Sequence, residues 1–277
     1  MSKIICIHYY DQGNPLEQSL NLHIVSFMLP IHQISGEQCI SDIVAEDYRA
    51  AAVFRKYGIE YCCGGKIPLE KVCLLRGLDL QEIKKDLDLA MQPVPVSTTA
   101  RFRDWDLHFL MDYIIHIHHE YLRAALPVLE EVVKEFAGKH QAKYPWLPEL
   151  QAITESLARE MPVHLEHEEK IIFPYIRQME YAYINHETYA GLLVRTLRKP
   201  VEEVMKQNEE TTGKSLTRLR ALTGNYEPPP QACISHRVVF SLLRELDYDL
   251  SRHLYLENEI LFPRAVTMEK ELLLQKN

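Results

Sequence analysis

Two stretches read alike: His164–Pro174, HLEHEEKIIFP, and His253–Pro263, HLYLENEILFP. Six of the eleven positions are identical, namely His, Leu, Glu, Ile, Phe and Pro. In each copy a His precedes a Glu by four residues, giving His164/Glu168 and His253/Glu257. Residues four apart share one face of an α-helix, so each copy projects an imidazole and a carboxylate in one direction. Two such helices facing each other offer two nitrogens and two carboxylates to one pocket. That donor set suits a pair of transition-metal ions, with carboxylates bridging and imidazoles terminating. A single His/Glu pair of this spacing is ordinary on a solvated helix face; the repeated apolar tail tells against that reading. Ile171, Ile172 and Phe173, like Ile260, Leu261 and Phe262, give each helix end something to bury, and Pro174 and Pro263 predict a stop or kink there.

Around this core the pattern is helical. Four stretches carry helix-period apolar residues: about 104–138, with Leu107, Met111, Ile114, Leu122, Leu126 and Leu129 on one face; about 146–179; about 201–222; and about 233–266. Pro127 sits inside the first as a candidate kink. The run Gly224-Asn225-Tyr226-Glu227-Pro228-Pro229-Pro230 breaks the third from the fourth. The expected fold class is all-α, with an antiparallel four-helix bundle over residues 100–268. Residues 180–199 are long for a bundle connection and have room for a short extra helix.

Upstream, residues 39–91 read as a small helical unit. Ser41 or Asp42 is placed to cap a helix running through Ala45, Ala50 and Phe54, closed by Gly58. Pro68-Leu69-Glu70 opens a second helix and Asp79–Leu89 a third. Gln92–Thr99, with two prolines and no helical period, reads as the linker. Residues 1–38 read as a poorly ordered extension, with Met28 as an alternative true start.

Composition narrows the function classes. The chain has 277 residues, 47% of them apolar and 25% charged, with 10 glycines and a formal charge of −8. Low glycine argues against a loop-rich β protein. Net negative charge gives no electrostatic reason for nucleic acid or an anionic membrane as a partner. No apolar run reaches membrane-spanning length, and the first residues do not form a secretory signal, so a cytoplasmic location is expected. The six cysteines are scattered, unlike a disulfide framework.

Two further elements bear on chemistry. The first bundle helix carries His108, His116, His118 and His119; periodicity leaves open whether His118 or His119 faces the pocket. The third contains no His, only Gln207, Asn208, Glu209 and Glu210. A His/carboxylate set without thiolate favours iron or manganese, with zinc as an alternative. Separately, Tyr61-Cys62-Cys63-Gly64-Gly65-Lys66 places adjacent thiols in a glycine-flanked turn, where Lys66 and a following helix N-terminus favour thiolate. A redox or metal-transfer role competes there with a tight turn that buries one Cys.

With these residues in view, the chain resembles the iron-sulfur cluster repair di-iron proteins (repair of iron centres) over roughly residues 40–268. The resemblance rests on Ile43–Tyr48, Ala52–Lys56, Tyr57-Gly58-Ile59 and the Cys-Cys-Gly-Gly-Lys signature, followed by a hemerythrin-like bundle. It implies His119 as first ligand, since Leu122-Arg123 and Leu126-Pro127 stand at the family's offsets, and His140 as a supporting histidine. It implies a non-haem centre of two iron ions bridged by Glu168 and Glu257, with His164 and His253 as further ligands. The family places a His on the third helix, where counting back from Pro228-Pro229-Pro230 and Ala232-Cys233 finds Glu209. Three resolutions follow, in order: Glu209 ligates through oxygen, His186 substitutes, or one iron lacks a ligand. The implied activity is repair of iron-sulfur clusters after oxidative or nitrosative stress, by iron donation or nitric oxide handling, with Cys62 and Cys63 as reactive residues. Damaged iron-sulfur proteins are the expected partners, nitric oxide or dioxygen the small ligands, and homodimerisation is allowed. The competing classes are a dioxygen or nitric oxide binding and sensing module without turnover, and a nitric oxide reductase.

Overall fold

A computed structural model describes residues 34–61, 65–91, 101–197, 201 and 208–274. The readings made for residues 1–33, for Cys62, Cys63 and the linker at 92–99 lie outside the described residues. Within them the chain is helical, and the single β feature is an isolated antiparallel bridge between Cys39 and Pro68.

The small N-terminal helices are α1 (Ile40–Glu46), α2 (Ala50–Lys56), α3 (Leu69–Arg76) and α4 (Leu80–Ala90). The single helix expected through Ala45 and Phe54 is two. Cys39 stands at the N-cap without a side-chain bond, so Ser41 and Asp42 fall in the first turn instead of capping it. Asp47 breaks the run: its backbone is extended and its carboxylate accepts from Arg49 N at 2.9 Å and Arg49 Nε at 3.0 Å. A short acidic side chain that captures nearby donors competes with helix continuation. Gly58 closes α2 at φ +65°, a value glycine adopts without strain. Asp79 caps α4 by accepting from Gln81 N and Glu82 N. Ile43, Phe54, Leu69, Ile83 and Leu87 form this part's core, which also takes in Val238 of the bundle. Tyr48 donates to Glu245 Oε2 at 2.6 Å, and Arg55 pairs with Glu131.

The bundle's first helix comprises α5 (Leu107–Tyr113), a π-helical turn Ile114–His119, and α6 (Glu120–His140). It starts at Leu107 because Asp106 accepts from Phe109 N at 2.7 Å. The second is α7 (Leu147–His167), a π turn Glu168–Ile172, and α8 (Phe173–Ile184). The extra helix expected between the second and third is α9 (Ala190–Leu197). The described part of the third is a π turn Asn208–Gly213 and α10 (Lys214–Thr223), ended by Gly224 at φ +59°. The fourth is α11 (Ile234–Leu256), a π turn Glu257–Leu261, and α12 (Phe262–Leu274).

Neither Pro174 nor Pro263 stops its helix; each is the second residue of α8 or α12. Proline in a regular helix loses one hydrogen bond and strikes the carbonyl four residues back. A π turn immediately upstream has already moved the backbone bonding out of that register, so the proline is tolerated. The fourth helix consequently runs to Leu274, beyond the end near Val266 that the sequence suggested.

Two apolar clusters fill the bundle. One contains Leu110, Ile114, Ile172, Phe173, Ile176, Ile260, Leu261 and Phe262. The other contains Leu122, Leu126, Leu157, Leu165, Leu216, Leu243, Leu246 and Leu250. Each fully buried aliphatic or aromatic side chain contributes about 1.5–3 kcal/mol. The first, second and fourth helices each bury polar groups at one shared level, at His118-His119, at Glu168, and from His253 to Glu257. All three lie between the same two clusters, so the described residues gather a polar layer between two apolar ones.

Candidate metal centre

That polar layer assembles the donors. His119, Glu168, His253 and Glu257 are each fully buried, and one ligand atom from each lies within 4.8 Å of the others. His119 Nε2 is 3.1 Å from His253 Nε2, 3.6 Å from Glu168 Oε2 and 4.0 Å from Glu257 Oε1. His164 Nε2 approaches Glu168 Oε1 to 3.0 Å, and His253 Nε2 approaches Glu257 Oε1 to 3.0 Å. Each His/Glu pair spaced by four residues therefore meets its own partner, and the two pairs meet each other.

Three of the four π turns among the described residues carry a donor at an end: Ile114–His119 ends on His119, while Glu168–Ile172 and Glu257–Leu261 begin on their glutamates. A π turn inserts an extra residue and re-aims the side chains beside it, a device common at functional sites. In the first helix it turns both His118 and His119 inward, at 1% and 0% exposure.

Each of these two histidines is steered by an acid. His119 Nδ1 donates to Glu169 Oε1 at 2.7 Å, and Arg123 Nη2 donates to Glu169 Oε2 at 2.9 Å. A carboxylate only accepts, so the Nδ1 proton is fixed and the Nε2 lone pair faces the cluster. His118 Nδ1 donates to Asp249 Oδ1 at 2.9 Å.

Electrostatics mark the layer as built for cations. Burial, then Glu257 beside it, pushes the Glu168 carboxyl up to about 7. Burial, then the neighbouring His253, drives His119 far below the usual imidazole range, and burial brings His253 down to about 4. His164 is pulled down by burial, but its contact with Glu168 outweighs this and the net shift is upward. Within the protein, Glu168 Oε1 and Oε2 and His164 Nε2 are buried without a well-formed hydrogen bond. Acid oxygens and imidazole lone pairs enclosed together without donors are costly alone. One or two cations among them satisfy every such atom at once, so the residues present fit a metal ion.

The comparisons with known proteins agree. A hemerythrin HHE cation binding domain matches residues 110–265, and a Domain of Unknown function (DUF542) matches residues 36–90. The iron-sulfur cluster repair protein YtfE of Citrobacter koseri is 32% identical over 238 residues, covering 84% of this chain and 98% of the relative. The chain belongs to this family. YtfE of Escherichia coli shows the same identity and coverage, and YtfE of Enterobacter sp. is 32% identical over 237 residues.

The other candidate histidines fall elsewhere in the structure. His140, expected as a supporting residue, ends α6, 21 residues beyond His119 and so roughly 30 Å along the helix. Its Nε2 lies 3.7 Å from Cys233 Sγ. His186, ranked second to Glu209 as a substitute ligand, is exposed at φ +53° just past α8, roughly 24 Å or more from Glu168 along the helix. It cannot reach the centre. His108 accepts from Arg177 Nη1 at 2.7 Å on the surface, and His116 is exposed. Glu209 lies in the π turn Asn208–Gly213, with its side chain outside the described residues. Sequence reasoning missed Glu169 and Asp249 as orienting acids; Glu169 stands beside Glu168 within the quoted repeat, whereas nothing local marks Asp249.

Proposed function

We propose that this chain repairs iron-sulfur clusters damaged by oxidative or nitrosative stress, using iron held in the bundle. The observation that carries this reading is the convergence of His119, Glu168, His253 and Glu257 in one sealed layer, with His164 against Glu168. Two iron ions would be held in the layer by His119, His164, His253, Glu168 and Glu257, with Glu209 of the third helix as a further oxygen donor. Bound iron would supply a labile metal for transfer and a site for nitric oxide or dioxygen. The protein's own groups do the rest. Glu169 and Asp249 orient imidazoles, and the two apolar clusters exclude water. Cys62 and Cys63 act as accessory thiols in receiving or handing on iron. Damaged iron-sulfur proteins are the partners, and the work takes place in the cytoplasm.

The test is recovery of an aconitase-type enzyme whose cluster has been damaged. The iron-loaded chain is expected to restore activity beyond an equal amount of free iron; equal recovery rejects the proposal. Iron per chain then tests the ligand set. Glu209→Ala is expected to lower two irons towards one, and an unchanged count removes Glu209 from the set.

A further inference from the structure

We propose that the outer face of the fourth helix is a docking groove for a partner protein. The partner lays an extended segment, with acidic side chains four residues apart, along Arg244, Tyr248, Arg252 and Tyr255. These four residues stand four, four and three apart in α11, so they form one stripe along a single helix face. Arg244, Tyr248 and Tyr255 are exposed and Arg252 is half-buried. With Arg220 of α10 and Phe102 ahead of α5, the stripe lines an open groove of about 760 Å³. Arg252 and Leu256 in the groove directly precede His253 and Glu257 in the chain, so the groove reaches the level of the metal layer.

Charge selects an acidic occupant. Three arginines and one acid line the groove, on a chain whose formal charge is −8. The one acid, Asp247, is engaged by Arg220, whose Nε donates to Asp247 Oδ2 at 2.7 Å. Arg244 Nη2 donates to Tyr226 O at 2.7 Å and to Glu227 Oε1 at 2.9 Å. The side chains of that ion pair are 53% and 76% exposed, and exposed pairs are weak, so an incoming carboxylate can replace Glu227. Arg252 forms no ion pair among the described residues. Its guanidinium lies over the Phe102 ring at 5.1 Å and donates to Tyr248 Oη at 3.4 Å. It is therefore held in place with its charge unanswered.

Shape selects an extended chain. A small-molecule site encloses most of its ligand, whereas Tyr248 is 65% and Tyr255 46% exposed here. Arginine and tyrosine are also the side chains that dominate binding energy between proteins. Eight residues of helix separate Arg244 from Arg252, about 12 Å at 1.5 Å per residue. In an extended segment, residues four apart point to the same side and lie about 13 Å apart. Two acids at that spacing therefore meet Arg244 and Arg252 together, and the residue midway between them falls on the Tyr248 ring. The occupant's pattern is acid, any, apolar, any, acid.

The experiment titrates the full chain, at low salt, into fluorescently labelled peptides and reads polarisation. The probe is Glu-Ser-Leu-Ser-Glu; the controls are Lys-Ser-Leu-Ser-Lys, the respaced Glu-Glu-Ser-Leu-Ser, and a single-stranded oligonucleotide. The probe is expected to bind wild type more tightly than every control, and added salt is expected to weaken it. Arg244→Glu and Arg252→Glu are each expected to lower its affinity on the order of tenfold, the scale of one lost charge-assisted contact. Circular dichroism checks that both variants keep their helix content, and the peptide controls apply to wild type alone. No binding of the probe by wild type overturns the proposal, as does equal affinity for the respaced peptide. Equal or tighter binding of the oligonucleotide also overturns it, because the groove then reads phosphate. None of these outcomes depends on iron, so they leave the repair reading to its own test.

Discussion

The middle of the bundle and the end that holds His236 both bury imidazoles, and only the first gathers acids around them. His236 is 1% exposed, with both ring nitrogens lacking hydrogen-bond partners. Its ring is enclosed by Phe240 at 4.4 Å, Phe136 and Tyr144 at 5.0 Å each, and Trp146 at 6.0 Å between centroids. Burial, with His140 next, brings it down to about 4, so it sits there as a neutral aromatic ring. In the polar layer, by contrast, His119, His164 and His253 each lie within 3.0 Å of a carboxylate oxygen. Burial and an unpartnered nitrogen do not make a ligand. Convergence with acids does: Glu169 fixes the His119 tautomer and leaves its Nε2 lone pair facing the layer, while His164 and His253 bring Nε2 and a carboxylate oxygen to the same place as joint donors.

The largest effect that sharpens this contrast is loss of a central donor. Glu168→Ala or His253→Ala is expected to abolish tight metal binding, measured as iron per chain after desalting, while His236→Phe retains it. Removing the metal is expected to lower the melting temperature. An ion present at a hundred times its dissociation constant stabilises by about 2.7 kcal/mol, and calorimetry of loaded and chelator-treated protein measures the shift. A loaded His236→Phe chain that loses this shift would break the comparison.

Next in size is the orienting acid. Glu169→Gln keeps the shape but weakens the hold on the His119 Nδ1 proton, and affinity for Fe(II) is expected to fall 10- to 100-fold. Competition with a chelator of known affinity reads this directly.

A smaller effect follows from pH. The folded value of His236, about 4, lies below the ordinary 6.5. Between these values the unfolded chain binds a proton that the folded chain refuses. The stability from this residue is complete above about pH 6.5 and is lost as pH falls towards 4. The loss is on the order of 2–3 kcal/mol. Denaturant titrations of wild type and His236→Phe across that window are expected to diverge, with the variant flatter. Parallel curves would mean that the ring finds a partner when protonated. The smallest expected effect is none: His186→Ala leaves iron content and affinity unchanged, and a loss of iron would return His186 to the ligand set.

Much of this was legible beforehand. The repeated His-x-x-x-Glu pattern put an imidazole and a carboxylate on one helical face twice over, and the matching apolar tails implied that both faces turn inward. The chain breaks at Gly58 and Gly224 were equally readable. Pro174 and Pro263 misled, because a proline reads as a stop only if the helix before it is regular, and π turns leave no compositional trace. The break at Asp47 escaped for a similar reason: the competing bond from Arg49 becomes visible only in three dimensions. His118 and His119 looked like alternatives on a regular helix, whereas the π turn buries both, each with its own acid.

Local sequence determined which residues share a helical face, since that depends on 3.6-residue periodicity and neighbouring side chains. It therefore determined the helices and the paired donors on them. Which pairs face each other and which acid holds which imidazole depend on contacts between residues from fifty to more than a hundred positions apart. His119 meeting His253 and His118 meeting Asp249 are such contacts. They exist because two apolar clusters pack the helices in register around a layer too polar to join either, and only the tertiary structure shows that registration.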